Sequence, residues 1–84
     1  MNMRVELTRK AVRQLERLGE PLKGRIVRAL KKLGKEPPQE DIKKMEGRDG
    51  YRVRVGGHRV LFDIGLDAVY VYKIAPRGDA YKEG

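Results

Sequence analysis

The chain has 84 residues, enough for one small domain, and its 20 Lys and Arg against 12 Asp and Glu give a net charge of +8. With no cysteine and one histidine, the composition excludes disulfides and zinc sites built from Cys and His. The excess of positive charge predicts an acidic partner, either nucleic acid or an acidic protein. The ion-pair networks of a thermophile-like surface also need many charged residues, but a balanced number of positive and negative charges is enough for them.

Neither a secretion signal nor a membrane segment is predicted. Residues 1–7 lack the apolar core of a signal peptide, and no apolar run approaches the roughly 20 residues of a membrane-spanning helix. We therefore expect a soluble cytoplasmic protein that folds as a single domain over residues 1–84. No cluster of Asp and Glu indicates a magnesium site, although carboxylates alone are able to bind that ion.

The N-terminal part of the chain predicts a strand and two helices. Residues 4–7 alternate between polar and apolar types, as in a short strand, and Thr8 is a suitable N-cap for a helix over residues 9–18. Gly19 is expected to cap the end of this helix. Apolar residues repeat at helical spacing again over residues 21–33, and the short loop between the two helices predicts an antiparallel helical hairpin.

The second helix is expected to begin at Pro21, which suits a first helical turn, and to stop at Gly34. Only Glu16 and Glu20 place negative charge on the outer helix faces. The cations on those faces are Arg9, Lys10, Arg13, Arg17, Lys23, Arg25, Arg28, Lys31 and Lys32. Each cation alone is typical of a solvated surface, so we interpret their combined field, and no single residue, as the sign of an acidic partner.

The C-terminal half predicts a loop and then an antiparallel sheet. Consecutive prolines place a loop at residues 35–41, and residues 42–45 are expected to form a short turn against the core. Two strands within residues 51–62 and a third over about 68–74 form a three-stranded antiparallel meander, with the N-terminal strand at an edge or within the sheet. The expected fold is therefore α+β, with the helical hairpin packed on one face of the sheet.

The hairpin Tyr51–Phe62 is the most informative segment. A two-residue turn at Gly56-Gly57 sets Arg54 opposite Arg59. Because side chains alternate along a strand, one face is shared by Tyr51, Val53, Val55, His58, Val60 and Phe62 and is expected to look toward the helices. The other face carries Arg52, Arg54 and Arg59, and we call it the arginine face; it is expected to be open to solvent. Like charges opposite one another weaken a sheet, so these guanidiniums indicate an anionic ligand, best matched by a phosphodiester backbone.

Taken in order, these segments resemble the RelE/ParE superfamily of bacterial and archaeal toxin–antitoxin systems. The resemblance covers nearly the whole chain: the strand–helix–helix start, the lead-in Lys44–Gly47, the hairpin Tyr51–Phe62 and the tail Pro76–Tyr81. Each piece is weakly specific by itself, but their order and spacing favour the RelE branch, especially its short archaeal members.

The resemblance implies the toxin of a type II system, an mRNA interferase that cleaves mRNA in the ribosomal A site and inhibits translation. In RelE-type toxins the ribose 2′-OH attacks the adjacent phosphate, with no metal or other cofactor. Carried over by position, the catalytic roles fall on Arg52, Arg54, Arg59, Arg77 and Tyr81. The resemblance also implies three partners: the ribosome, mRNA and a RelB-like antitoxin, acidic and wrapping, in a toxin–antitoxin hetero-oligomer.

Arg77 and Tyr81, in the tail, are assigned to the site by the resemblance alone. The strand pairing of the hairpin brings together only Arg52, Arg54 and Arg59. Tyr81 is interpreted either as a packing anchor, the commoner role of an isolated tyrosine, or as a platform for a base. Base stacking of that kind contributes about 1–3 kcal/mol per base.

One departure from the family concerns the proton on the 2′-OH. Well-studied RelE toxins carry lysines at the positions of Arg52 and Arg54, and one of them is a proposed general base. Arginine stays protonated near neutral pH, so it stabilises transition-state charge but does not accept a proton. We therefore expect weaker catalysis than in lysine-bearing relatives. His58 is chemically suited to be a base, but the pairing puts it on the helix side, and we interpret it as a turn-proximal structural residue.

Two other functions remain open. A ParE-type toxin resembles RelE in fold and poisons DNA gyrase, but such toxins generally lack the full arginine set combined with a terminal tyrosine, so this function ranks second. A non-catalytic RNA-binding module would bind the backbone through the same basic surface without cleaving it.

Overall fold

The computed structural model describes residues 3–35, 42–44 and 50–76. Its elements are β1 (Arg4–Leu7), α1 (Arg9–Glu16), α2 (Leu22–Lys35), β2 (Ile42–Lys44), β3 (Tyr51–Val55), β4 (His58–Ile64) and β5 (Ala68–Pro76). The strands form one five-stranded sheet in the order β1-β5-β4-β3-β2. The expected α+β fold is thereby confirmed. Within the described ranges, neither helix is long and apolar enough to cross a membrane.

The predicted meander forms the centre of the sheet and is extended by one strand on each side. β3, β4 and β5 pair antiparallel in sequence order, and β1 lies at one edge, parallel to β5. The short turn expected at residues 42–45 is wrong for its described part, because Ile42–Lys44 pair with β3 as an antiparallel strand. Ile42 lies opposite Val53 beside the core, while the exposed Lys43 and Lys44 on this edge oppose edge-to-edge pairing with other chains.

Helix α1 begins as predicted and ends two residues early. The Thr8 hydroxyl accepts a hydrogen bond from the Ala11 amide at 3.1 Å, which confirms the N-cap. The C-cap is Arg17, so the prediction of a Gly19 cap is wrong. The amide of Leu18 donates to the Leu15 carbonyl at 3.1 Å, and this tighter turn lets Leu18 continue the apolar stripe onto the core after the helix has ended.

Helix α2 runs past the glycine that was expected to stop it. Its first turn is capped by Glu20, whose carboxylate accepts a hydrogen bond from the Gly24 amide at 2.8 Å. At the other end the helix continues to Lys35, so Gly34 is not a stop. The Gly34 carbonyl accepts the Met3 amide at 2.8 Å, and a Cβ at this position would overlap the Met3 backbone. Gly34 therefore allows the chain entering β1 to approach the helix closely.

The core lies between the helical hairpin and one face of the sheet, as predicted. The apolar residues of the hairpin other than Leu61 face the helices, where Tyr51 and Phe62 stack with ring centroids 5.8 Å apart. Leu61 is buried on the opposite face, across from Arg52. Two hydrogen bonds fix β5 to the N-terminal part of the fold. The Thr8 amide donates to the Val71 carbonyl at 2.9 Å, and the Ile74 amide donates to the side-chain oxygen of Gln14 at 2.7 Å.

Candidate nucleic-acid interface

The β3–β4 hairpin has the register that the sequence predicts. Arg54 lies opposite Arg59, Arg52 opposite Leu61, and Val55 opposite His58. The turn depends on Gly56, whose φ of +60° is the value that the first central residue of a II′ hairpin turn requires. Arg52, Arg54 and Arg59 therefore share the face of the sheet that points away from the helices.

The arginines differ strongly in exposure. Arg54 is exposed and Arg52 is half-buried, whereas only 4% of Arg59 is accessible. The expectation of an open arginine face is thus correct for Arg54 and wrong for Arg59. Arg59 is on the central strand β4, where it stands between Arg54 on β3 and Ala75 on β5.

The buried guanidinium of Arg59 is incompletely hydrogen-bonded. Its Nη1 donates to the His58 carbonyl at a long 3.4 Å. Its Nε is buried and has no hydrogen-bond partner among the described residues. An unsatisfied buried donor costs about 1–3 kcal/mol, and more when it is charged. An anion held at the exposed Arg54 opposite it would offset the charge of the buried guanidinium.

Two lysines join the arginine face, and sequence reasoning missed both. Lys43 on β2 lies opposite Arg52, and Lys73 on β5 lies opposite Leu61. Strict alternation from Val71 would turn Lys73 toward the helices. The β4–β5 ladder instead pairs Leu61 with Lys73 and Phe62 with Val71, so Tyr72 is the extra residue of a β-bulge. The bulge shifts the alternation by one residue and places Lys73, which is 9% exposed, on the arginine face.

No described residue offers an evident proton acceptor beside the arginines. Asp63 and Glu6 are exposed and both lie opposite Tyr70, on the same side of the sheet. Asp63 is four residues from Arg59, roughly 13 Å along β4. The side chain of His58 belongs to the other face, opposite Val55 as predicted. The described ranges also contain no group of three or more His, Cys, Asp or Glu arranged to hold a metal ion.

The tail residues of the predicted site, Arg77 and Tyr81, lie outside the described residues. Their position beside the arginine face stays a prediction. In the described part of the face, Arg54 and Lys43 are exposed and Arg52 is half-buried, so these groups can bind phosphate. The buried Arg59 and Lys73 add positive charge that stabilises negative charge developing on a bound phosphate.

Comparison with known families gives a match along most of the chain. The sequence model of the ParE toxin family, described as the ParE toxin of the type II toxin–antitoxin system parDE, matches residues 5–81. No curated protein matches the sequence.

Solved structures of archaeal and bacterial toxins share the fold. The archaeal RelE–RelB complex from Pyrococcus horikoshii contains a chain 32% identical to this one, with 95% of this chain and 100% of that chain covered and a TM-score of 0.80. The RelB–RelE complex from Methanococcus jannaschii matches at 20% identity, covering 94% and 98%, with a TM-score of 0.78. The RelBE2 toxin–antitoxin complex from Mycobacterium tuberculosis matches at 24% identity, covering 92% and 100%, with a TM-score of 0.76.

Proposed function

The chain belongs to the RelE/ParE superfamily and is a type II toxin–antitoxin toxin, and from this premise we propose that it is a ribosome-dependent mRNA endoribonuclease. It cleaves mRNA in the ribosomal A site and so inhibits translation. The relative at 32% identity is a RelE toxin, which favours the RelE type of activity over other activities of the superfamily.

The proposed reaction is an internal transfer at one phosphate. The ribose 2′-OH gives its proton to solvent or to a group of the ribosome, and its oxygen attacks the adjacent phosphorus. The bond from phosphorus to the 5′-oxygen breaks and that oxygen takes a proton from solvent, so the products are a 2′,3′-cyclic phosphate and a 5′-hydroxyl. Arg52, Arg54 and Arg59 bind the phosphate oxygens and stabilise the extra charge of the phosphorane-like transition state. Arg77 adds a further positive charge that binds and polarises the same phosphate. Tyr81 stacks on a base and orients the nucleotide. Because the guanidiniums supply the positive charge, the proposed reaction uses no metal or other cofactor.

The observation that carries this proposal is the state of Arg59. A buried, permanently charged side chain whose Nε has no hydrogen-bond partner among the described residues is costly to a domain of this size. Arg54 lies directly opposite it and adds like charge. An anionic ligand at the exposed Arg54 would offset the positive charge of both arginines, and for an mRNA endoribonuclease that anion is an RNA phosphate.

The protein partners follow from the same premise. We propose a RelB-like antitoxin that neutralises the toxin in a hetero-oligomeric complex in the cytoplasm. The P. horikoshii relative was solved as a RelE–RelB complex, which supports such an assembly. The net charge of +8 fits an acidic antitoxin as well as RNA.

Primer extension on cellular mRNA after induction of the toxin tests the activity. We expect cleavage within translated codons, and the same purified protein should cleave a short mRNA only when ribosomes are present. An Arg59→Met variant made in parallel should give no cleavage above background. Translation that continues unimpaired, with intact mRNA, would contradict the proposal.

DNA gyrase poisoning is the second candidate, and the match to the ParE family model favours it. A gyrase poison would induce the DNA-damage response and stabilise cleaved DNA in a supercoiling assay, while ribosome-bound mRNA would stay intact. A protein that binds RNA without either effect would be a non-catalytic RNA-binding module.

A further inference from the structure

The sheet face that carries the arginines also presents an aromatic ring, that of Tyr70 on β5. Tyr70 lies opposite Asp63 on β4, and Asp63 is on the same face as Arg59, four residues earlier. Tyr70 therefore lies roughly 13 Å from the row of Arg54 and Arg59, measured along the strands. It is 40% exposed, and the proposed cleavage reaction assigns it no role.

The ring of Tyr70 packs against the β4–β5 turn, where a glycine leaves room for it. A Cβ at Gly65 would lie 2.8 Å from the Cε2 atom of Tyr70 and 3.6 Å from its Cδ2 atom, so a larger residue would displace the ring. Ala68, two residues before Tyr70 on β5, is fully buried. One edge of the ring is thus fixed by the turn, while the exposed part of the ring is accessible to a planar ligand.

Two carboxylates flank this ring. Glu6 on β1 and Asp63 on β4 both lie opposite Tyr70, so their Cα atoms are about 10 Å apart with the tyrosine between them. Both side chains are exposed, and neither forms an ion pair among the described residues. The neighbouring Asp67, in contrast, is paired with Arg4 at 3.3 Å. The oxygens of Glu6 and Asp63 are therefore able to accept hydrogen bonds from a ligand.

The ring and its carboxylates suit a nucleic-acid base and do not suit a phosphate. Every base is able to stack on an aromatic side chain, whereas a carboxylate repels phosphate. Guanine presents N1–H and N2–H donors side by side, and these match the two oxygens of one carboxylate. Uracil presents a single N–H between two carbonyl oxygens, which a carboxylate repels. Guanine is therefore the base that fits this surface best.

We propose that Tyr70, Glu6 and Asp63 form a subsite that binds an unpaired guanine of the RNA, away from the phosphate held at the arginine face. Continuity with the arginine face specifies RNA as the occupant, because one strand then contacts both ends of the same surface. Tyr70 is the stacking platform, and the two carboxylates determine which base is preferred. The subsite rests on the proposed function and adds a sequence preference to it.

A guanosine scan tests the subsite. The ligands are oligouridylates about eight nucleotides long, with 2′-O-methyl riboses that prevent cleavage, and each carries one guanosine at a different position. Fluorescence anisotropy with the full chain gives the guanosine ratio, which is the Kd of plain oligouridylate divided by that of the guanosine-bearing strand. Tyr70→Leu keeps an apolar cover over Gly65 but removes the ring, and E6Q/D63N keeps the ring but removes the carboxylates. Leu66→Ala is the matched control, because Leu66 is exposed on the adjacent turn.

We expect guanosine at one position to raise affinity at least about fivefold. Tyr70→Leu should weaken binding of that strand at least about fivefold, which corresponds to the loss of one stacked base, and Leu66→Ala should change it less than about twofold. In E6Q/D63N the loss of two negative charges should raise affinity for every strand, while the guanosine ratio falls toward one. Arg54→Met should weaken binding of all the strands and leave the ratio unchanged.

Equal affinity at every guanosine position, or a guanosine ratio that persists in both Tyr70→Leu and E6Q/D63N, would overturn the subsite. If thermal unfolding shows that Tyr70→Leu does not fold, the ratio in E6Q/D63N decides the result. An arginine-containing peptide that shifts the Tyr70 amide, in the absence of any base preference, would make this surface a protein contact and would also overturn the subsite. The scan does not depend on cleavage: a guanosine ratio without cleavage contradicts only the proposed function, and cleavage without the ratio contradicts only the subsite.

Discussion

Replacing Arg59 with Met separates a ligand-binding role from a structural one. Methionine keeps an apolar stem but removes the buried guanidinium, whose Nε has no partner among the described residues. Removing an unsatisfied buried donor should raise the free energy of unfolding by about 1–3 kcal/mol. Loss of the 3.4 Å hydrogen bond to the His58 carbonyl should lower it by about 1 kcal/mol. We expect the free energy of unfolding to rise by about 1 kcal/mol, equivalent to roughly 4–8 °C in Tm for a domain of this size.

The same substitution is expected to weaken RNA binding. A charge-assisted hydrogen bond contributes about 1.5–3 kcal/mol, so the Kd for single-stranded RNA should rise about 10–150-fold. Single-turnover cleavage on ribosomes should fall at least as far, because the charge on phosphate grows in the transition state. Arg54→Met is the matched control for stability: Arg54 is exposed, and its loss should change the free energy of unfolding by less than about 0.5 kcal/mol.

A loss of about 2 kcal/mol or more in unfolding free energy, with unchanged RNA affinity, would contradict this role for Arg59 and make it a structural residue of the sheet. Arg59→Lys sharpens the result. Lysine keeps the charge but lacks the planar fork of donors, so RNA affinity between those of the wild type and Arg59→Met is expected.

Three further substitutions test the fold and the extent of the face. Gly34→Ala should destabilise the domain by more than about 1 kcal/mol in urea unfolding because its Cβ overlaps the backbone before β1, whereas Gly19→Ala, with open space around it, should be neutral. Gln14→Ala leaves a β5 amide without its 2.7 Å acceptor and should cost about 1–3 kcal/mol in the same assay, and Gln14→Glu should cost less. Lys73→Met should reduce the slope of log RNA affinity against log salt by about 0.7, measured by fluorescence anisotropy. An unchanged slope, equal to that of the α1 control Lys10→Met, would place Lys73 outside the RNA contact.

The hairpin was predictable because its geometry is local. A two-residue glycine turn fixes the register, and the period of two along each strand then fixes which side chains share a face. Val53 and Phe62 therefore lie in the core and Arg54 lies opposite Arg59, as the sequence predicts. The N-cap at Thr8 was predictable for the same reason, since the cap and the amide it binds are three residues apart.

Where the structure differs from the sequence-based predictions, the cause is in most cases a contact between distant parts of the chain. Ile42 forms a strand only because the edge of β3 is beside it, and Gly34 is needed where Met3 crosses the helix. Neither contact leaves a local signal. The bulge at Tyr72 is similar, because alternation alone gives the wrong face for Lys73 and only the pairing with β4 corrects it. The burial of Arg59 is a different case, because the predicted meander already places β4 between β3 and β5, and the alternation pattern gives the face of a side chain but not its accessibility.

The arrangement of the face bears on how a proton leaves the 2′-OH. The described groups beside Arg59 are guanidiniums and ammonium groups, while Asp63 lies roughly 13 Å away along β4. Guanidinium does not lose its proton near neutral pH. Catalysis by the described groups therefore depends on charge stabilisation, with the proton passing to solvent or to a group of the ribosome, and this is the physical reason to expect slower cleavage than in lysine-bearing relatives.

A site built on permanent positive charge also determines how it is best inhibited. Because the guanidiniums stay charged across the physiological pH range, changes in pH do not switch the face off, and an opposing negative charge must be delivered by a partner. Arg54 is the guanidinium that such a charge reaches most readily, since it is exposed while Arg59 opposite it is buried. A carboxylate that pairs with Arg54 would take that guanidinium from RNA phosphate, so that binding of the partner would lower the affinity of the face for RNA.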